Sequence, residues 1–595
     1  MIALIALNQH REIDMRGTHH SRRLALAGTA LAVAAAFAAG ARPAHACGGL
    51  FCGGPPPDPF APLPVAQSGE NIVFAVDKDP ATGQGTVTAY IQILYSGTAS
   101  DFSWVLPIEA IPDISVGSDR VFTQVAAVTR PSYSASFVTE GECKPDGRTV
   151  YDGGANTAGS GGSTGTGGTG GAVGGGVNVI FRGDVGPYDA LVVQASDSAQ
   201  LLQYLADNGF VVSDTARSII EDYVQLNKYF VAVKLLSGQS TGAIQPVVLK
   251  FKGEVPCVPL KLTAIAALAD LSVNLYVLGA SRAVPSNYFE LTLNQAKIDW
   301  LTGGQNYSSL VKTAADEAGG NAFIAEYAGT SSVMSGLLWP NTAINLTLLQ
   351  TAGTPPAYLQ QVVGQGLMQY GQMLPLLRTY IPEPQVLIDM GITESTFYNN
   401  NSYYWGLYQS SFKAFDPAAI TAEVKTKIVD PLQDGQALFD AHPYLTRLAT
   451  YISPEEMNKD PEFVFNPDLP AQSNVHTATA HVMCGARSYT YCQAPILLQL
   501  PESGGSVWYK RTDACGFDVS GIDTMPSLAI AWQRAEAGEG QPVIDNRTAI
   551  NKEVTARNDA INPGGCACSV APGSSAGALV LLVGLALLRR RRGRA

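Results

Sequence analysis

Charge is what this chain has least of. Asp, Glu, Lys and Arg make up 15% of its 595 residues, against roughly 25% in an ordinary globular protein. Histidine is scarce too, at seven, so few side chains titrate near neutrality. No His-Glu-x-x-His occurs, which removes the commonest zinc-protease arrangement. Glycine is abundant, yet no Gly-Lys-Ser/Thr follows it, so nothing cradles a phosphate in the manner of a nucleotide-binding loop. What is present is a body with 46% apolar residues, 60 Gly and 36 Pro, a loop-rich composition of the extracellular kind. The net charge is −12, but the basic residues crowd the ends. Removing the +3 of residues 1–46 and the +5 that follows Cys568 leaves −20 on the body between. Such a surface repels phosphate backbones and excludes nucleic acid as a partner.

The two ends read as addresses. Arg22-Arg23 precedes an apolar run from Leu24 to Gly40, then Ala44-His45-Ala46 and Cys47. This is the order of a secretory signal, with cleavage expected after Ala46. The acids Glu12 and Asp14 suit a signal poorly and point to Met15 as the start. A partial twin-arginine pattern and a weak lipobox at Cys47 are alternatives to ordinary secretory cleavage. At the other end Gly565-Cys566-Ala567-Cys568 leads into an apolar segment from Ala576 to Leu588 and then Arg589, Arg590, Arg591 and Arg592. Thirteen helical residues reach about 20 Å, short of a hydrocarbon core of roughly 30 Å, and the arginines are expected to stay cytoplasmic. This tail resembles the MYXO-CTERM sorting signal. The resemblance implies cleavage near Cys566 to Cys568 by a sorting protease and transfer of the body to the cell surface, from an inner-membrane anchor.

In an oxidising compartment spaced cysteines read as disulfides, so Cys47, Cys52, Cys143, Cys257, Cys484, Cys492 and Cys515 are candidates. Cys47 with Cys52 makes a short loop, Cys143 with Cys257 staples the base of an insertion, and one of the last three is left over. A metal site at His476, His481 and Cys484 competes. However, Val475 to Val482 alternates like a strand, which sends the two histidines to opposite faces.

Along the body, Ile72–Val76 and Thr86–Tyr95 read as a hairpin, with a further strand at Phe102–Ile108. A helix is expected over 118–129, closed by Pro131. Residues 153–176 are almost wholly Gly, Ser, Thr and Ala and read as a flexible insertion. Order resumes at Val177–Phe181. A helix at 197–208 has Asp197 as its N-cap, and strands follow at 229–236, 244–251 and 271–278. Apolar spacing gives helices at 358–377 and 418–441.

Several stretches resemble a bacterial family known as domain of unknown function 2330. They are Gln67–Phe74, Asp101–Pro107, Val185–Tyr188, Tyr276–Gly279, Asp316–Gly320, Tyr444–Leu448, Ile452–Met457 and Asp460–Phe463. The resemblance runs from Cys47 to about residue 470 and implies exported bacterial proteins with no catalytic residues to carry over.

Weak binding candidates are His442 and Arg447, which can line a pocket, and the aromatic run Tyr403, Tyr404 and Trp405, which otherwise packs helices. Asp316-Glu317 and Glu455-Glu456 read as helix-end charges. The expected fold class is α+β: mixed, mainly antiparallel sheets with packed helices, and a more helical later segment. The expected segments are a signal at 1–46, an α+β part at 47–330, a helix-rich part at 331–470, a Cys-containing β-rich part at 471–563 and a sorting tail at 564–595. The expected role is an envelope-anchored surface binding, adhesion or structural module, with an exported hydrolase as the alternative. No cofactor or metal is expected. Expected partners are the export machinery, the sorting protease and the membrane through the tail.

Overall fold

Alternation sets the first element. Residues 70, 72, 74 and 76 of the Val65–Lys78 strand face one way, and 71, 73 and 75 the other. The polar turn after it is held by Asp79, whose carboxylate accepts from the amides of Ala81 and Thr82. The chain then returns antiparallel as Gly85–Gly97. The computed structural model describes residues 65–79, 81–97, 103–145, 177–208, 214–236, 244–339, 344–512, 516–519 and 522–562. The signal with Ala44 and Ala46, the glycine-rich insertion, the tail with Cys566, Cys568 and Arg589–Arg592, and Cys47, Cys52 and Cys515 lie outside these. No helix among the described residues is long and apolar enough to cross a membrane.

The hairpin sits inside a ten-stranded sheet. In order across it run Gln541–Asp545, Leu528–Gln533, Phe289–Leu293, Ala322–Thr330, Tyr444–Ile452, Ala267–Gly279, Val65–Lys78, Gly85–Gly97, Val247–Lys252 and Asp113–Val116. Most neighbours are antiparallel; Val65–Lys78 with Ala267–Gly279 and Phe289–Leu293 with Ala322–Thr330 are parallel. The class is α+β. Strands from 47–330, 331–470 and 471–563 interleave in this one sheet, so the expected boundaries at 330 and 470 do not divide the fold.

One face of the sheet packs on a four-stranded sheet made of Ser103–Ile108, Tyr229–Leu235, Tyr188–Gln194 and Asn178–Val185. Ile72, Phe74 and Ile91 meet Trp104, Leu106 and Val231 there, each large side chain contributing about 1.5–3 kcal/mol by leaving water. On the other face the Arg120–Thr129 helix buries Val121, Phe122 and Val125. A five-stranded sheet including Ser132–Lys144 and Val475–Thr490 closes against the Tyr307–Glu317 helix.

Two helical readings are refined by the backbone. The expected helix over 358–377 is broken into Pro355–Gly364 and Met373–Tyr380. Gly366 between them stands at φ +69°, outside the helical region. The stretch 418–441 is one rod, Pro417–Val424 to Asp430–Ala441, with a π-turn at Lys425–Val429. Pro431 has no amide to donate to the turn before it, which accounts for the widened turn. The C-terminal helix Arg547–Ile561 is an addition that the apolar pattern did not suggest, since Ile550 is its one buried residue.

Cysteine pairing differs from expectation. Cys143 is joined to Cys484, 341 residues away, not to Cys257, which carries a free thiol. Strand register explains it. Ser132–Lys144 and Val475–Thr490 lie side by side in parallel, which brings the two Cα atoms to 4.8 Å. Cys492 is also disulfide-bonded.

A buried carboxyl interrupts the core between the ten-stranded and four-stranded sheets. Glu70 is 1% exposed, and its one side-chain hydrogen bond among the described residues is a long one of 3.4 Å from Gln67 Nε2. Burial pushes its pKa up from 4.5 to about 7. The acid form is therefore the one the fold tolerates. The stability it allows is complete below about pH 4.5 and is lost as pH rises through 7. We expect Glu70→Gln to leave stability unchanged at pH 4 and to raise it by about 3 kcal/mol at pH 8. Denaturant unfolding at the two pH values checks this; an equal gain at both would show that charge is not the cause.

Candidate functional site

The best-organised polar feature crosses the middle of the ten-stranded sheet. Gln92, Asn71 and Asn274 come from three adjacent strands and, by register, share one face. Asn274 Nδ2 donates to Asn71 Oδ1 at 3.1 Å. Asn71 Nδ2 donates to Gln92 Oε1 at 2.8 Å, and Gln92 Nε2 donates to Asp119 Oδ1 at 2.7 Å. At the other end Arg447 Nη2 donates to Asn274 Oδ1 at 3.4 Å. The amides thus run head to tail from a guanidinium to a carboxylate. In such a chain each bond polarises the next. Asp119 sits where the N-cap of the Arg120–Thr129 helix belongs but makes no side-chain cap, because its carboxylate closes this ladder instead.

Arg447 is anchored by a β-bulge. The register between Ala322–Thr330 and Tyr444–Ile452 slips between Ala325 and Tyr327. The extra residue is Glu326, and a bulge re-aims its side chain. Glu326 Oε2 lies 2.5 Å from Arg447 Nε, with both side chains under a tenth exposed. Tyr307 OH donates to the other oxygen at 2.9 Å. The Tyr276 ring lies 5.4 Å under the guanidinium, a cation–π contact. Burial, then the Glu326 charge, holds the Tyr307 hydroxyl far above the ordinary tyrosine range, so it stays a donor.

This ladder lines a trough of about 630 Å³, with Ser272, Thr123, Arg130 and Tyr451 among its other walls. A second cleft of about 730 Å³ adjoins it and shares Pro131, Tyr307 and Glu326. There Glu290 is held between Arg282 at 3.1 Å and Arg534 at 2.6 Å.

The sequence candidates scatter. Arg447 is in the trough. His442 is not: it is buried, with Nδ1 2.8 Å from Leu438 O and Nε2 3.2 Å from Asp77 Oδ1, a structural histidine at the end of a helix. Tyr403, Tyr404 and Trp405 lie on a helix in the later helical segment. Tyr404 packs on Phe397 and Trp405 on Phe412, while Tyr403 is exposed, so this run mainly packs helices and lines neither the trough nor the cleft beside it. His476 and His481 do fall on opposite faces. The first stacks on Tyr133 and pairs with Glu502, the second pairs with Glu140. Glu317 accepts from the amides of Ser527 and Leu528, and Glu456 completes a capping box with Ser453; both are end charges. The pattern Gly-x-Ser-x-Gly occurs at Gly161–Gly165, Gly238–Gly242 and Gly573–Gly577, all outside the described residues.

Comparison with known proteins gives one match. Residues 43–363 fit the model of a family described as an uncharacterized protein conserved in bacteria (DUF2330). The chain belongs to the DUF2330 family. The match stops at 363, short of the expected extent near 470. No curated protein and no solved structure matches this chain.

In this DUF2330 chain the trough is lined mostly by neutral polar and aromatic side chains. Its lining contains no His, Cys or Lys, and its one carboxylate, Glu326, is engaged by Arg447 and Tyr307. Removing one member of such a buried pair strands the other. We expect Arg447→Met to destabilise the protein by about 3–5 kcal/mol, and Arg447→Met with Glu326→Leu to recover a large part of that loss. A double-mutant cycle in denaturant reads it; strictly additive losses would mean the pair is not coupled.

Proposed function

We propose that this DUF2330 protein is an exported binding module, held at the cell envelope through its C-terminal tail, that takes a hydroxyl-rich ligand such as a glycan chain in the trough. The observation that carries the reading is the arithmetic of the amide ladder. Each of Gln92, Asn71 and Asn274 spends one N–H and one lone pair on its neighbours. An amide has two donors and two acceptor sites. One of each therefore remains per residue, along a row that crosses three strands. Sugar hydroxyls, which both donate and accept, complement that alternation. Tyr276, Tyr307 and Tyr451 on the walls supply aromatic bodies with polar tips.

Titration of a panel of oligosaccharides by calorimetry tests the ligand. The variant Asn71→Leu with Asn274→Leu is expected to weaken any glycan bound by the wild type at least tenfold. Glycan binding indifferent to that change, or no binding across the panel, would remove the trough reading. Export and sorting are tested separately by mass spectrometry of the mature termini from fractionated cells. The expected ends are Cys47 and a residue near Cys566 to Cys568, in the surface fraction. An intact Arg589–Arg592 tail in the recovered protein would sink the sorting.

A further inference from the structure

The strand that sends Asn71 into the trough sends Glu70 the opposite way, into a narrow slot between the ten-stranded and four-stranded sheets. The slot has about 150 Å³ of interior space, the size of an engineered cavity that accepts benzene. Its walls are apolar: Ile72, Phe74 and Ile91 on one side and Leu106 and Ile108 on the other. The rim is apolar as well, since Leu226 is 65% and Val255 38% exposed.

The charges of the slot are mostly negative. Four carboxyl groups, Glu70, Glu109, Asp460 and Glu462, line it against one ammonium, Lys228. Three of the five have other engagements. Lys228 pairs with Glu109 at 2.8 Å. Asp460 accepts from the Tyr223 hydroxyl at 2.6 Å and from the Lys261 amide at 2.9 Å. Glu462 is exposed. Glu70 alone is buried with no cation beside it among the described residues. A carboxyl in hydrocarbon surroundings with one long hydrogen bond is under-satisfied, and a bound cation would relieve it. The free thiol of Cys257 shares the lining, but burial, followed by the charges of Asp460 and Glu462, pushes its pKa far up. It stays a neutral thiol that adds no anion.

We propose that this slot binds a compact apolar amine, with the ammonium paired to Glu70 and a benzene-sized hydrocarbon body between the two sheets. A neutral apolar molecule fills the same volume but leaves Glu70 as it was. An acid of the same shape places two carboxyls together. The amine is the one class that satisfies wall and carboxyl at once. The site lies on the opposite face of the sheet from the trough.

Calorimetric titration of the purified protein at pH 8 with benzylamine and with benzyl alcohol, which share a shape and differ in charge, tests the assignment. The wild type is expected to bind benzylamine at least tenfold more tightly. Glu70→Gln is expected to bring the two affinities within twofold, while benzyl alcohol binding is kept as evidence of an intact slot. Equal affinities in the wild type would reduce the slot to an unspecific apolar cavity and overturn the proposal. Undiminished benzylamine binding in Glu70→Gln, or no binding of either probe to the wild type, would overturn it as well.

Discussion

The pleat of one strand organises this molecule. Val65–Lys78 is paired on both edges, parallel to Ala267–Gly279 and antiparallel to Gly85–Gly97, and it is covered on both faces. In a strand with two buried faces every side chain must suit its layer, and a slip of one residue exchanges the layers. Here that exchange would put Glu70 into the amide ladder and Asn71 into the hydrocarbon core. The bulge between Gln67 and Gly69 is part of the same constraint. It brings Gln67 round to the side of Glu70, where its amide gives the carboxyl a hydrogen bond. Polar residues in this strand therefore specify register, and both candidate sites follow from it.

The ladder has an energetic logic of its own. A buried guanidinium is costly unless it is paired and its remaining donors are met. Arg447 draws for this on three elements: Glu326 from a bulge in one neighbouring strand, Asn274 and the Tyr276 ring from the other, and Thr129 and Ala126 O from the helix above. The Glu326 contact is short, whereas the hydrogen bonds to Asn274, Thr129 and Ala126 O are each 3.4 Å long. Their combined effect is to fix the helix, the bulge and the sheet in one arrangement. That rigidity is what a binding surface needs, because groups already held in place lose little freedom when a ligand arrives.

Local pattern carried much of the fold and little of the site. The hairpin, the Ser103–Ile108 strand and the Asp197-capped helix are legible because alternation and capping act over a few residues. Asp197 accepts from Ala199 and Gln200 as a cap should. Cys143 and Cys484 were not legible as partners, because nothing in sequence signals a parallel pairing across 341 residues. Glu326 was equally hidden, since a bulge leaves no mark on apolar spacing. Asn71, Tyr276 and Arg447 stand in three of the stretches that carry the family resemblance, so one available signal was the polar residue within each apolar motif. Their meeting depends on strand order, which the motifs do not encode. His442 misled for the opposite reason: its chemistry is conspicuous, and its surroundings make it a brace.

Strand order also bears on what the family match can mean. The matched residues 43–363 supply Val65–Lys78, Ala267–Gly279 and Ala322–Thr330, but Tyr444–Ile452 lies between the last two in the sheet. That strand pairs with both neighbours and carries Leu445, Leu448 and Ile452 fully into the core. Without it the sheet would expose two long unpaired edges in its interior, each a row of unmet backbone donors and acceptors. Arg447, the cationic end of the ladder, would be missing too. The matched segment is thus an incomplete structural unit in this chain. Both the sheet and the trough require the residues that follow it, and the ladder spans the seam between the two parts.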